Sequence, residues 1–157
     1  DLLNDFLPSQ GLNRYEISNF AAKGCECRHN LKYWRYEPYR GFGVAAHSFD
    51  GVDRFANTES IFQYLERLIA AKSPEDFRET PGRLTAMGEY VFLALRTTRG
   101  LSGIDFAHRF GCDFIGCYKE PVERLTQLGL LSEDAGSWHL TERGMKLGNR
   151  AFTEFLP

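Results

Sequence analysis

The sequence lacks a long apolar run. No stretch approaches the roughly 18 residues that span a bilayer, so no membrane-crossing helix is expected. It also lacks a dominant charge. The formal net charge is −2, which gives the whole chain no electrostatic case for nucleic acid. The N-terminus has no signal- or transit-peptide pattern, and no internal repeat or low-complexity segment is visible. Cysteine is sparse: Cys25, Cys27, Cys112 and Cys117. The first two are one residue apart, too close for an ordinary disulfide, and no spacing fits a closed zinc site. These read as unliganded thiols in a reduced, cytoplasmic setting.

What is present is material for a core. The chain is 43% hydrophobic and 25% charged, a globular balance, and holds 13 Phe, 7 Tyr and 2 Trp. Its 157 residues suit one domain or two small ones. It opens at Asp1, and Leu2 to Leu7 looks like the tail of a helix already under way, so a piece of a longer protein is expected.

After a Pro8–Gly11 turn, Tyr15 to Phe20 reads as strand-like and residues 25–40 as irregular. Arg40 to Phe49 reads as a buried strand, and Val52 to Asn57 returns as another after an Asp50-Gly51 turn. Thr58 is expected to cap a helix to about Ala71, with Ile61, Phe62, Leu65, Leu68 and Ile69 on one buried face. Ser73-Pro74-Glu75-Asp76 reads as a further helix start. A helix over Leu84 to Thr98 follows. Helices capped by Ser102 and Asp113, a hairpin around Asp134-Ala135-Gly136, and one final helix capped at Thr141 complete the chain. Helix, helix, helix, two-stranded wing and helix make a winged-helix arrangement over residues 84–157.

Winged helices often bind DNA, but residues 101–157 hold six Lys or Arg against eight Asp or Glu. Phosphate contacts dominate DNA affinity, so a packing or docking module is the better reading. Residues 14–40 interleave Arg14, Lys23, Arg28, Lys32, Arg35 and Arg40 with Tyr15, Phe20, Tyr33, Trp34, Tyr36 and Tyr39. Flat rings plus cations suit a planar, carboxylate-bearing ligand, while snorkelling arginines over a small core give the same composition. Within this loop His29 alone could ligate a haem iron or move a proton near neutral pH, although a lone histidine is more often structural. His47 follows an apolar strand, where either a ligand or the next turn could satisfy it. Gly41 and Gly43 allow close backbone approach, which a plain turn also explains. His108 and His139 read as structural.

The motifs Tyr15-Glu16-Ile17-Ser18-Asn19-Phe20-Ala21, Cys27-Arg28-His29-Asn30-Leu31-Lys32-Tyr33-Trp34 and Tyr39-Arg40-Gly41-Phe42-Gly43 leading to Ala46-His47-Ser48 resemble the oxygen-independent coproporphyrinogen III oxidase family. These are radical S-adenosylmethionine proteins. Leu95-Arg96, Gly100-Leu101, Phe110-Gly111, Leu128-Gly129-Leu130-Leu131 and Leu140-Thr141-Glu142-Arg143-Gly144 are similar to that family's C-terminal domain. The His-Asn-x-x-Tyr-Trp motif at His29, Asn30, Tyr33 and Trp34 resembles the haem-chaperone branch; true oxidases carry an Arg-Asn-Phe-Gln-like sequence there. The chain departs from the family at Ala22-Lys23-Gly24, usually Lys-Pro-Gly. It departs again at Gly43-Val44-Ala45-Ala46-His47-Ser48, often Gly-Pro-Gly-Ala-His-Ser.

The resemblance implies an α+β fold. Residues 1–83 would be the last strands and helices of a partial (β/α) barrel, and residues 84–157 the winged-helix-like domain. It implies a haem-binding chaperone that delivers haem to haem proteins, or alternatively an oxidase converting coproporphyrinogen III to protoporphyrinogen IX. His29, Asn30, Tyr33 and Trp34 would bind haem, with His29 on the iron and nearby Arg or Lys on the propionates. His47 would line the S-adenosylmethionine cavity of the full-length parent. The parent's 4Fe-4S cluster would sit on an upstream Cys-x-x-x-Cys-x-x-Cys loop, which these 157 residues lack. No catalytic residue and no metal beyond a haem iron is therefore expected here. Expected partners are haem or porphyrin, a haem-accepting protein and the N-terminal barrel of the same chain, with no nucleic acid.

Overall fold

The computed structural model describes residues 2–157, so Asp1, the first residue of the expected leading helix, lies outside the described residues. In chain order the elements are α1 (Leu2–Ser9), β1 (Asn13–Arg14), β2 (Phe20–Ala21), α2 (Arg28–Trp34), β3 (His47–Phe49), β4 (Arg54–Asn57), α3 (Ile61–Ile69) and β5 (Glu75–Glu79). Then come α4 (Arg83–Leu95), β6 (Leu101–Ser102), α5 (Gly103–Phe110), α6 (Phe114–Gln127), β7 (Leu131–Asp134), β8 (Ser137–Leu140), α7 (Glu142–Lys146) and α8 (Gly148–Thr153). Three small antiparallel sheets, β1-β2, β3-β4-β5 and β6-β8-β7, complete an α+β fold. No helix of the described residues is long and apolar enough to cross a membrane.

The chain forms two compact units. One joins the residues up to Arg35 with Leu84–Pro157; the other is Tyr36–Arg83. Residues before Arg35, grouped by sequence with the barrel portion, pack with the C-terminal half.

The first unit contains the winged helix. Its caps act as their residue types require: Ser102 Oγ accepts from Asp105 N, Asp113 Oδ2 from Gly116 N and Thr141 Oγ1 from Gly144 N. The core is aromatic. Phe106 is fully buried and its ring centroid lies 4.9 Å from Phe110 and 5.4 Å from Phe114. The single last helix expected from sequence is two, α7 and α8. Backbone at Leu147 leaves the helical region at φ −111° and ψ 24°, and its N–H is shared between the carbonyls of Arg143 and Gly144.

The second unit corrects four expectations. The run from Arg40 to Phe49 is not one strand. Tyr39 and Phe49 exchange backbone hydrogen bonds at 2.8 and 3.0 Å, so the chain folds back on itself between them and only His47–Phe49 is β. The segment at Ser73-Pro74-Glu75-Asp76 is a strand, β5, because pairing with β4 outweighs the local cap signal. Phe77 sits opposite Ala56, and Arg54 opposite Glu79 forms an ion pair at 2.6 Å. The cap of α3 is Ser60, not Thr58; Thr58 is buried and donates its hydroxyl to Gln63 Oε1. Finally, the apolar face of α3 is open. Ile61, Phe62, Leu65, Leu68 and Ile69 are all exposed, Phe62 by 83% and Ile69 by 86%.

Candidate functional site

Residues 25–40 are not wholly irregular, for Arg28–Trp34 form the seven-residue helix α2. Its N-cap, Cys27, makes no side-chain capping bond, so the sequence carried no start signal. Residues four apart on a helix lie about 40° apart, and residues five apart about 140°. His29 and Tyr33 therefore share an edge. Tyr33 Oη and His29 Nε2 are hydrogen-bonded at 2.9 Å, and the two rings meet edge-on with centroids 4.9 Å apart. His29 is exposed and Tyr33 half-buried. Lys32 and Arg28, both exposed, lie about 60° and 100° around the helix on the side of His29 away from Tyr33.

Trp34 points elsewhere. The Arg96 guanidinium lies over its ring, 4.4 Å from the centroid. Arg96 Nη2 is in turn 3.7 Å from Oε2 of Glu16, a carboxylate that is completely buried. Glu16 Oε1 accepts from Ser18 N at 3.0 Å and Asn19 Nδ2 at 2.5 Å. Backbone bonds fix the same junction: Ile17 N donates to Arg96 O, and Thr98 N to Tyr15 O. Three separated sequence motifs thus meet in one stack, carboxylate on guanidinium on indole, which anchors the inner side of α2. A buried acid needs such pairing, because an isolated charge away from water is costly. Sequence reasoning quoted Glu16 and Arg96 but missed this role. The only available signal was a charged residue in an otherwise strand-like run.

A cavity of about 220 Å³ lies beneath Leu31 and Trp34, closed by Ala94, Thr97 and Gly100. Ligand pockets usually span about 300–1,000 Å³, so this one is too small for a macrocycle. The structure brings His29 and Tyr33 together, leaves half-buried Asn30 beside them and turns Trp34 inward. Other cations in this stretch are used in packing. Arg14 bonds Asn4 and lies 5.1 Å over the Phe20 ring, and Arg40 lies 4.8 Å over Phe55.

In the second unit, His47 is exposed at the start of β3 and lines a cavity of about 560 Å³ with Ala45, Asn57, Thr58, Asp76 and Phe77. Asn57 holds the preceding turn, its Nδ2 donating to Gly43 O at 2.8 Å and its N to Ala46 O at 3.0 Å. Gly41 serves this turn: a Cβ there would collide with the carbonyl of His47, so its freedom is spent on the chain's own backbone. Ala45 adopts φ +57°, a left-handed conformation that favours glycine. Among the described residues no three His, Cys, Asp or Glu lie together as a metal site.

Residues 83–147 match the family described as the HemN C-terminal domain. That match lies in the C-terminal half of the chain, and similarity to known proteins extends over nearly all of it. Its relatives carry a more particular name. It is 38% identical over 152 residues to the heme chaperone HemW of Bacillus subtilis, covering 96% of this chain and 40% of that protein. It is 48% identical over 159 residues to the protein of that name from Buchnera aphidicola, again covering 96% and 40%. The Lactococcus lactis protein of the same name is 33% identical over 156 residues, covering 99% and 41%. The chain therefore spans about 40% of the length of the curated relatives it matches. The solved structure of coproporphyrinogen III oxidase (HemN) from Escherichia coli, titled a radical SAM enzyme, superposes with a TM-score of 0.73. That match covers 96% of this chain and 38% of the other at 18% identity, which establishes the shared fold.

Proposed function

We propose that the chain is the C-terminal part of a cytoplasmic haem chaperone, and that haem docks on the outer edge of α2. His29 Nε2 supplies the axial ligand, Tyr33 flanks it, and Arg28 and Lys32 meet the propionates. Asn30 orients the edge, and Trp34 acts from behind by fixing the helix against Arg96. The observation that carries this reading is the exposed His29, hydrogen-bonded to Tyr33 on one side and flanked by two exposed cations on the other. An imidazole is a regular haem ligand, and pairing with carboxylates is what exposed cations beside it can add. Ligation has to displace the Tyr33 hydroxyl, a hydrogen bond with a net worth of about 1 kcal/mol. The similarity to proteins named heme chaperone supports the same reading.

In the full-length protein the resemblance assigns a 4Fe-4S cluster and S-adenosylmethionine to an upstream barrel. Residues 1–83 would contribute its end, and His47 would line the nucleoside cavity. The 560 Å³ cavity beside His47 is of a size suited to a small ligand. A second reading, oxidative decarboxylation of coproporphyrinogen III, is favoured by the structural likeness to an oxidase. Sequence similarity to chaperones over nearly the whole chain outweighs it.

Titration of haem into the chain tests the proposal. A saturable Soret shift that disappears in His29→Ala is the expected result. No shift in the wild-type chain would refute haem binding here. Turnover of coproporphyrinogen by the full-length protein would instead select the oxidase.

A further inference from the structure

The four cysteines fall into two pairs of different kinds. Cys25 and Cys27 are exposed and one residue apart, a spacing that strains any disulfide between them. Cys112 and Cys117 are different. Cys112 lies in the turn between α5 and α6, and Cys117 in the first turn of α6. The Cys117 thiol donates to Cys112 Sγ at 3.0 Å. A disulfide bond needs about 2.05 Å, so closure requires a relative movement of about 1 Å.

The local backbone permits that movement. Tyr118, directly after Cys117, has non-helical angles, φ −130° and ψ 31°, so the turn carrying Cys117 is jointed to the rest of α6. The body of α6 stays anchored through Val122 and Leu125, both buried in the core. Cys112 packs half-buried against that core, while Cys117 is exposed to reagents in solution. Tyr118 lies beside both thiols. Burial first, and then the neighbouring thiols, push its hydroxyl up to about 12.

We propose that Cys112 and Cys117 form a reversible intrachain disulfide, a modification site for low-molecular-weight disulfides such as glutathione disulfide. The Cys117 thiolate attacks one sulfur of the oxidant, forming a mixed disulfide and expelling one glutathione thiolate. Cys112, after losing its proton, attacks Cys117 Sγ; the intrachain bond forms and the second glutathione thiolate leaves. Two protein thiols have then lost two electrons and two protons, and one glutathione disulfide has become two glutathione thiols. Excess thiol reverses both steps.

Trypsin reads the outcome directly, since cleavage after Arg109 and Lys119 releases both cysteines in one peptide. After treatment of the folded chain with glutathione disulfide, peptide 110–119 should be lighter by two hydrogens and resist alkylation. It should regain both properties with reductant. Closure should be at least roughly tenfold faster in the folded chain than in urea, because the fold raises the effective concentration of one thiol at the other. Cys112→Ser should leave a persistent glutathione adduct on Cys117. The proposal fails if the wild-type peptide carries glutathione on each cysteine, if its cysteines remain alkylatable, if the new bond joins two chains, or if folding confers no rate advantage.

Discussion

The two units of this chain are held by different physics. In the unit formed with Leu84–Pro157, helices and wing close over fully buried Phe106, Leu95, Leu101 and Val91. In Tyr36–Arg83 the buried apolar residues are Tyr36, Phe49, Phe55 and Ala56. Charge does much of the remaining work there. Arg78 lies 4.3 Å over the Phe55 ring and pairs with Asp53 at 2.9 Å, Glu75 at 2.7 Å and Asp50 at 3.4 Å. The contrast extends to what is covered. The apolar stripe of α3 is exposed, while Glu16, in the first unit, is sealed from water. Apolar periodicity reports what a helix could bury; the partner decides whether it does.

The largest effect expected from this contrast is in the aromatic core. Phe106→Ala should cost about 3–5 kcal/mol in denaturant unfolding, since it removes a ring and leaves a cavity. A loss under about 1 kcal/mol would mean that the first unit is not held by its core. Arg96→Met should cost about 2–3 kcal/mol by leaving the Glu16 carboxylate buried without its cation. Adding Glu16→Gln should recover part of that loss; failure to recover any would show that Arg96 acts by packing alone.

Acid should separate the units. Hydrogen bonds from the backbone of Asp53 and Val52 hold Asp50 below its ordinary 3.8. The Thr80 hydroxyl and then Arg78 do the same for Asp53, and Arg78 holds Glu75 below 4.5. A carboxyl whose folded pKa is depressed stabilises fully above its unfolded value and ceases to do so as pH falls through the folded value. The Phe55 ring signals in NMR should therefore lose native dispersion below about pH 4, ahead of those of Phe106. Simultaneous loss would break the comparison. The smallest effect is at the turn before His47. Ala45→Gly should raise stability by about 0.5–1 kcal/mol by relieving the left-handed backbone; destabilisation would place the methyl group in a contact that matters.

The C-terminal half was legible because its signals are local. Ser102, Asp113 and Thr141 announce helix starts within three residues of the groups they cap. The second unit was misread where long-range pairing decides: Ser73-Pro74 looks like a helix start until β4 is placed beside it. The site was half legible. His29, Asn30, Tyr33 and Trp34 are recognisable as a motif, and the spacing of four between His29 and Tyr33 would have revealed their shared edge had α2 been expected. The Glu16–Arg96–Trp34 stack joins residues up to 80 positions apart in sequence, and no local pattern announces it.

Haem affinity in three versions of the chain addresses the central claim most directly. The wild-type chain and Trp34→Phe should bind within about threefold of one another, because Trp34 faces Arg96 and not the ligand, while His29→Ala should bind at least roughly tenfold more weakly. Undiminished binding by His29→Ala, or a loss confined to Trp34→Phe, would contradict the assignment of the outer edge of α2.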